Sequence, residues 1–271
     1  MDHVDHERLE EIEAMAWADL LRALPAEAQA ALGTSADLSE GCAVLRSTKL
    51  DTLMLNRVIG LGARAPVADE MVRSILAGYE AAAVERYLVH RPPWAEALRS
   101  ELEAAGLTRY HRSWAKFARG RDPVRQAHTE LTIRPATTQD AEPFGRVFAE
   151  GFGLPASAAA IFTAVVGRPR WHAYVALEGQ AIGGAGLLFV DDDTAYLCGA
   201  TTLPPFRKRG VQSALMARRL EHALDLGCHM ICTETGEPVP GDPQHSYRNM
   251  QKAGFEVAYV RENYVPQGVR W

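Results

Sequence analysis

The sequence predicts an α/β protein (of the α+β kind) made of two domains, and three observations predict it. The chain has 271 residues, which is more than one ordinary domain needs at roughly 100–200 residues each. Short apolar runs alternate with amphipathic helical stretches along its whole length. A polar, charged segment, Gly120-Arg121-Asp122-Pro123 to Glu130, divides two such series. The expected domains are therefore an N-terminal α/β domain over 1–122 and a second over 130–271.

The elements follow in order. From Val4 to Leu32 the chain is rich in Ala, Leu and Glu at helical spacing, interrupted at Pro25 and stopped by Gly33. Apolar runs at Cys42–Leu45 and Leu53–Ile59 read as strands. Pro66 is placed to open a helix reaching Ala81, Val84–Val89 reads as a strand, and Pro92-Pro93 open a helix that Gly106 stops. Trp114–Ala118 closes the first series. The second begins with a strand at Leu131–Arg134 and a helix capped by Thr137 to Asp140. A meander of three strands follows, Trp171–Leu177, Ala181–Val190 and Ala195–Leu203, with a tight turn at Glu178-Gly179. A helix over Val211–Leu226, a strand at Met230–Thr233, a short helix at Ser246–Ala253 and a strand at Phe255–Arg261 complete it. The stops Ala105-Gly106-Leu107 and Ala253-Gly254-Phe255 form an internal echo, which a duplication or chance punctuation would equally produce.

Composition narrows the function. Hydrophobic residues at 47% and charged residues at 23% exclude a disordered or collagen-like chain. A net charge of −5 offers no global basic field to nucleic acid. No uncharged apolar run reaches the roughly 18 residues that would span a membrane. The acidic start MDHVDHERLEEIE lacks the regions of a signal peptide, so a cytoplasmic location is expected. The four cysteines, Cys42, Cys198, Cys228 and Cys232, read as buried thiols, and no metal is expected. The sequence is compatible with a homo-oligomer.

The sharpest motif is Arg207-Lys208-Arg209-Gly210-Val211-Gln212-Ser213, between an apolar strand and an amphipathic helix. A helix N-terminus offers free N–H groups and about half a positive charge. Gly210 carries no Cβ to keep a ligand away, and three further cations call for an anion, a diphosphate being the natural candidate. With the elements around it, this motif resembles that of the GNAT superfamily of acyl-CoA-dependent N-acyltransferases, over about residues 130 to 265. Arg207, Gly210 and Gln212 stand where that family has Arg or Gln, Gly, and Gly or Ala.

The resemblance implies a mixed sheet flanked by helices and transfer of an acetyl group from acetyl-CoA to a primary amine, on a small molecule or a peptide. Attack is direct, in a ternary complex, without metal or covalent intermediate. It implies that the loop residues Arg207 to Ser213 hold the pyrophosphate and that the strand end Thr202-Leu203 bonds the pantetheine arm. Asn249 is either a coenzyme contact or an exposed helix residue. Where the family often has a Tyr to protonate the thiolate, this chain has Met250, so Tyr247 one turn earlier is the candidate acid, with Ser246 beside it. Glu234, at a strand end, is the candidate base. A rival reading suggested by Met250 is a non-catalytic acyl-CoA-binding or interaction module.

Gly60-Leu61-Gly62-Ala63-Arg64-Ala65 matches a dinucleotide fingerprint, but the following strand ends Leu88-Val89-His90 with no carboxylate for a ribose. Residues 1–120 are then a degenerate GNAT-like half or an unrelated α/β domain. His3 and His6 read as solvated, and Arg218 and Arg219 as an exposed helix face. Phe144, Phe148, Phe152 and Phe162 read as core, with Phe152 a candidate for an acceptor pocket.

Overall fold

The computed structural model describes residues 4–242 and 244–269. His3 lies outside them. The first series runs α1 (His6–Arg22), α2 (Ala26–Leu32), β1 (Thr34–Ser39), β2 (Cys42–Ser47), β3 (Arg57–Ile59), α3 (Asp69–Ala81), β4 (Leu88–Arg91), α4 (Glu96–Ala104), β5 (Leu107–Arg109) and β6 (Trp114–Arg119). The second runs β7 (Thr132–Pro135), α5 (Ala141–Gly151), α6 (Ala159–Thr163), β8 (Trp171–Glu178), β9 (Ala181–Asp191), β10 (Thr194–Tyr196), β11 (Ala200–Thr202), α7 (Val211–Asp225), β12 (Met230–Gly236), α8 (His245–Lys252) and β13 (Glu256–Pro266). This is the mixed α/β architecture that the sequence predicts.

Local chemistry sets the boundaries. Asp5 caps α1 by accepting from the Arg8 N–H at 3.0 Å. Thr137 and Asp140 form a capping box before α5. The helix expected from Pro66 starts three residues later, at Asp69. The run Leu53–Ile59 is a strand only from Arg57, because Leu55 and Asn56 hydrogen-bond back onto Thr52 in a turn.

One sheet runs through both series, in the order β1-β2-β3-β4-β13-β6-β12-β10-β9-β8-β7. From β1 to β8 it is a palindrome about the β13–β6 pair, with β7 added at one edge. On one side β3 and β4 are parallel and on the other β10 and β12 are parallel, each pair flanked by antiparallel neighbours. The last strand of each series crosses over: β13 pairs with β4, and β6 pairs with β12, while β13 and β6 pair with each other. The echo in the sequence is thus matched by an echo in topology.

The N-terminal helix is shared in the same way. α1 packs on β2 of its own series and on β10 of the other. Its Asp19 accepts from Arg168 at 2.8 Å and from the Trp171 indole at 2.7 Å, and its Arg8 pairs with Asp191 at 2.7 Å. Beneath it lies a buried ionic cluster in which Glu13 meets Lys116 and Arg261, and Glu10 meets Arg261 at 3.2 Å. His6, expected to be solvated, is half-buried between Trp94 and Tyr259 because β13 carries Tyr259 beneath the start of α1.

Candidate active site

The site begins where two parallel strands part. β10 and β12 stay in register through Tyr196 and Cys232, and the Leu197 N–H donates to the Cys232 carbonyl at 2.9 Å. The chain then bulges at Cys198-Gly199, with Gly199 at φ 66, and β11 continues against β9 alone. The single strand expected over Ala195–Leu203 is therefore two pieces, and the edge of β11 facing β12 is open. The Leu203 N–H bonds to Gly183 on the β9 side, so strand alternation turns the N–H groups of Ala200 and Thr202 into the cleft.

Arg219 holds the bulge. It is 2% exposed, not on an exposed face, and donates to the carbonyls of Leu187 at 2.8 Å and Gly199 at 3.0 Å. β9 makes room for it: a Cβ on Gly186 would sit 3.0 Å from the guanidinium, and one on Gly184 would sit 2.7 Å from Val211. Burial lowers the Arg219 pKa to about 10, leaving it charged at neutral pH. The amphipathic pattern of α7 hides this residue, while the glycines Gly183, Gly184 and Gly186 in an otherwise apolar strand are the sign that something approaches closely.

The loop after β11 leads into α7. The N–H groups of Val211, Gln212 and Ser213 have no acceptor among the described residues. Arg207 and Lys208 are exposed, and the Arg207 Nε donates to the Thr202 carbonyl at 3.1 Å. Arg209 differs from the expectation of three uncompensated cations. The turn between β8 and β9 brings Glu178 to it, and Glu130 lies at 3.5 Å. Gly210 also has a further reason to be glycine. Its φ is 77, and a Cβ there would lie 2.0 Å from the carbonyl of His128 in the connecting segment. Gln212 turns its amide toward the cleft, with Oε1 3.5 Å from the Thr202 hydroxyl. Ser213 and half-buried Asn249 line a groove between α7 and α8 that the segment Val124 to Ala127 also lines.

At the inner end of the cleft is a cavity of about 340 Å³. Glu234, at the far end of β12, opens onto it. The residue is half-buried, and its Oε2 is closed off from solvent with no hydrogen-bond partner. Its Oε1 accepts from the Tyr196 hydroxyl at 2.7 Å, and that hydroxyl accepts from the Trp17 indole N–H at 3.0 Å. The direction is fixed, because an indole only donates and the phenol must then give its proton to the carboxylate. Burial, and then repulsion from Glu13, push the Glu234 carboxyl above its ordinary value, against Lys116, Arg57 and Arg261, which pull it down. Tyr196, pushed well above the phenol range by burial and by Glu234, stays protonated.

Phe148, Phe152 and Phe162 stack along one wall of the cavity, and Cys198 and Met250 line it too. The Cys198 thiol, raised by burial and by Glu234, is protonated and unreactive. Tyr247 packs edge-on against Phe117 and is not among the lining residues, whereas Ser246 is. The first series contributes Trp17 and Arg57, which the sequence does not single out. An arginine inside the apolar run Leu53–Ile59 was the available signal.

The glycine motif of the first series makes a turn rather than a cradle. The Ala63 N–H bonds back to Gly60, the Trp94 indole caps the Ala63 carbonyl at 2.9 Å, and α3 opens with Asp69 and Glu70, which occupy the electropositive end themselves. No group of metal-ligating side chains occurs among the described residues, and none of the described helices is long and apolar enough to cross a membrane.

A mixed sheet in which the parallel strands β10 and β12 part, with a helix N-terminus beside the gap, fits the resemblance that the sequence motif carries. Residues 142–241 match the model of the acetyltransferase (GNAT) family, and this stretch is a GNAT domain. A GCN5-related N-acetyltransferase from Kribbella flavida is similar in fold over 97% of this chain and 96% of its own, with a TM-score of 0.64 at 15% identity. Another from Sphaerobacter thermophilus is similar over 96% and 95%, with a TM-score of 0.59 at 15% identity. A tandem GNAT protein from the clavulanic acid biosynthesis pathway is similar over 93% and 94%, with a TM-score of 0.56 at 17% identity. No curated protein sequence matches the chain.

Proposed function

We propose that the protein is an N-acetyltransferase that moves an acetyl group from acetyl-CoA to a primary amine by direct attack. The observation that carries this reading is Glu234, a residue lining the cavity at the inner end of the cleft, one of whose carboxylate oxygens has no hydrogen-bond partner. The free N–H groups of Val211, Gln212 and Ser213 suit a pyrophosphate, with Arg207 and Lys208 adding charge. The open edge at Thr202-Leu203 suits an extended amide-bearing arm, and Asn249 flanks its path.

In the cavity, Glu234 takes a proton from the incoming ammonium, and its raised pKa suits that task better than an ordinary carboxylate would. The amine nitrogen then attacks the thioester carbonyl, and the N–H groups on the open edge of β11 stabilise the oxyanion. A thiol of ordinary pKa, about 8.5, leaves without a dedicated acid, so Met250 is no obstacle to turnover. The second reading, a non-catalytic acyl-CoA-binding module, keeps Met250 as its support and predicts affinity without thiol release.

Calorimetric titration with acetyl-CoA tests the cradle. Binding that weakens as salt rises is expected, and Arg207→Ala should weaken it by about 1–3 kcal/mol, the worth of a charge-assisted hydrogen bond. Unchanged affinity in that variant overturns the placement of the pyrophosphate. Thiol release with a panel of amines separates enzyme from binder.

A further inference from the structure

We infer that the acceptor is an amino acid, an amine carrying its own carboxylate, with Arg57 receiving the carboxylate while Glu234 faces the amine. This rests on the reading of the cavity as the acyl-transfer site. Arg57 enters the cavity from the first series and is 5% exposed. Its Nε and one terminal nitrogen, NH2, have no hydrogen-bond partner. The nearest carboxylate oxygen, on Glu13, is 3.9 Å away, and Glu13 is already held by Lys116 and by Arg261 at 2.8 Å. The guanidinium lies over the Trp17 ring at 4.1 Å, which fixes its plane but uses none of its donors.

A buried guanidinium with idle donors and a shielded carboxylate oxygen with no donor are each costly alone. The two residues line one cavity, with these atoms just beneath its surface, and they do not pair with each other. A ligand bearing one cation and one anion answers both at once. The other charged groups on the cavity wall are already matched. Arg112 keeps a free Nε but pairs with Asp242 at 2.9 Å, and Arg219 is spent on backbone carbonyls. The rest of the wall, including Leu53, Leu88, Phe148 and Phe162, suits an apolar or aromatic side chain. One ammonium proton passes to Glu234, the freed nitrogen adds to the thioester carbonyl, and the adduct expels the thiolate as the carbon–sulfur bond breaks. The second proton lost from the nitrogen goes to that thiolate, and the products are an N-acyl amino acid and the free thiol.

The experiment is steady-state thiol release by the full chain with acetyl-CoA. It compares L-phenylalanine with phenethylamine and L-leucine with isopentylamine. The wild type should favour each amino acid over its decarboxylated partner by about 10- to 100-fold in kcat/KM, since losing a charged hydrogen-bond partner costs that much. Arg57→Gln should erase most of this preference while still turning over the amines. The wild-type ratio decides the matter even if the variant does not fold. Turnover of both members of each pair at equal efficiency overturns the inference and leaves the acyltransferase reading standing. Binding of acetyl-CoA with no thiol release from any of the four overturns both.

Discussion

Glu234 gains its chemistry from residues distant in sequence. Its base strength comes from burial and from Glu13 on α1, and its orientation from Tyr196, which Trp17 in turn anchors. The sequence marks Glu234 as a carboxylate at a strand end, but not what surrounds it, because Trp17, Glu13 and Arg57 all come from the other series. If Glu234 is the base, Glu234→Gln should lower kcat by about 10²- to 10⁴-fold. The acid limb of the wild-type pH profile should lie above the ordinary glutamate value of 4.5. Tyr196→Phe removes a donor to the charged carboxylate, which raises its pKa further, so that limb should move to higher pH. Glu13, Lys116, Arg57 and Arg261, which face the same carboxylate, are unchanged by the substitution. A limb that stays in place would separate Tyr196 from the chemistry. Tyr247→Phe, with its ring against Phe117, should leave the profile unaltered.

Helices and caps are the elements most legible in the sequence. Pro25, Thr137 and Gly254 mark real ends because capping is local, whereas the sequence does not single out the cap at Asp5. The parting of β10 from β11 is not legible, because the apolar pattern continues through the bulge and only Gly199 interrupts it. Arg219 is misread for the same reason. Its partners are carbonyls of other strands, which no helical periodicity reports. Arg219→Met should destabilise the protein by about 1–3 kcal/mol for each carbonyl left unpaired. The urea midpoint reads this directly, and an unmoved midpoint would mean that the bulge is held by something else. The connecting segment is legible as a linker, but not as a strand of chain packed along the α7–α8 groove with His128 against Gly210.

Ion pairs join the two series alongside the shared sheet. Asp19 and Asp191 are held below the ordinary 3.8, and Glu262 below 4.5, by the arginines they meet. Depressed carboxylates stabilise the fold above their unfolded pKa and lose that contribution as pH falls through the folded one. Asp19 and Asp191 join α1 to the second series, and Glu262 joins β13 to Arg91 of the first. The melting temperature should therefore fall steeply from about pH 4.5 downward, with both series melting in one transition. Two separate transitions would show that the series are independent.

The crossing of β6 and β13 has a consequence for how the chain is made. Synthesis delivers the first series whole, yet β4 must wait for a neighbour that follows every other strand of the second series. Until then its edge is unpaired, and β6 has a neighbour on one side only, in β12. The closing strand is a clasp, and a chain cut short just before it would forfeit the early half along with the late one.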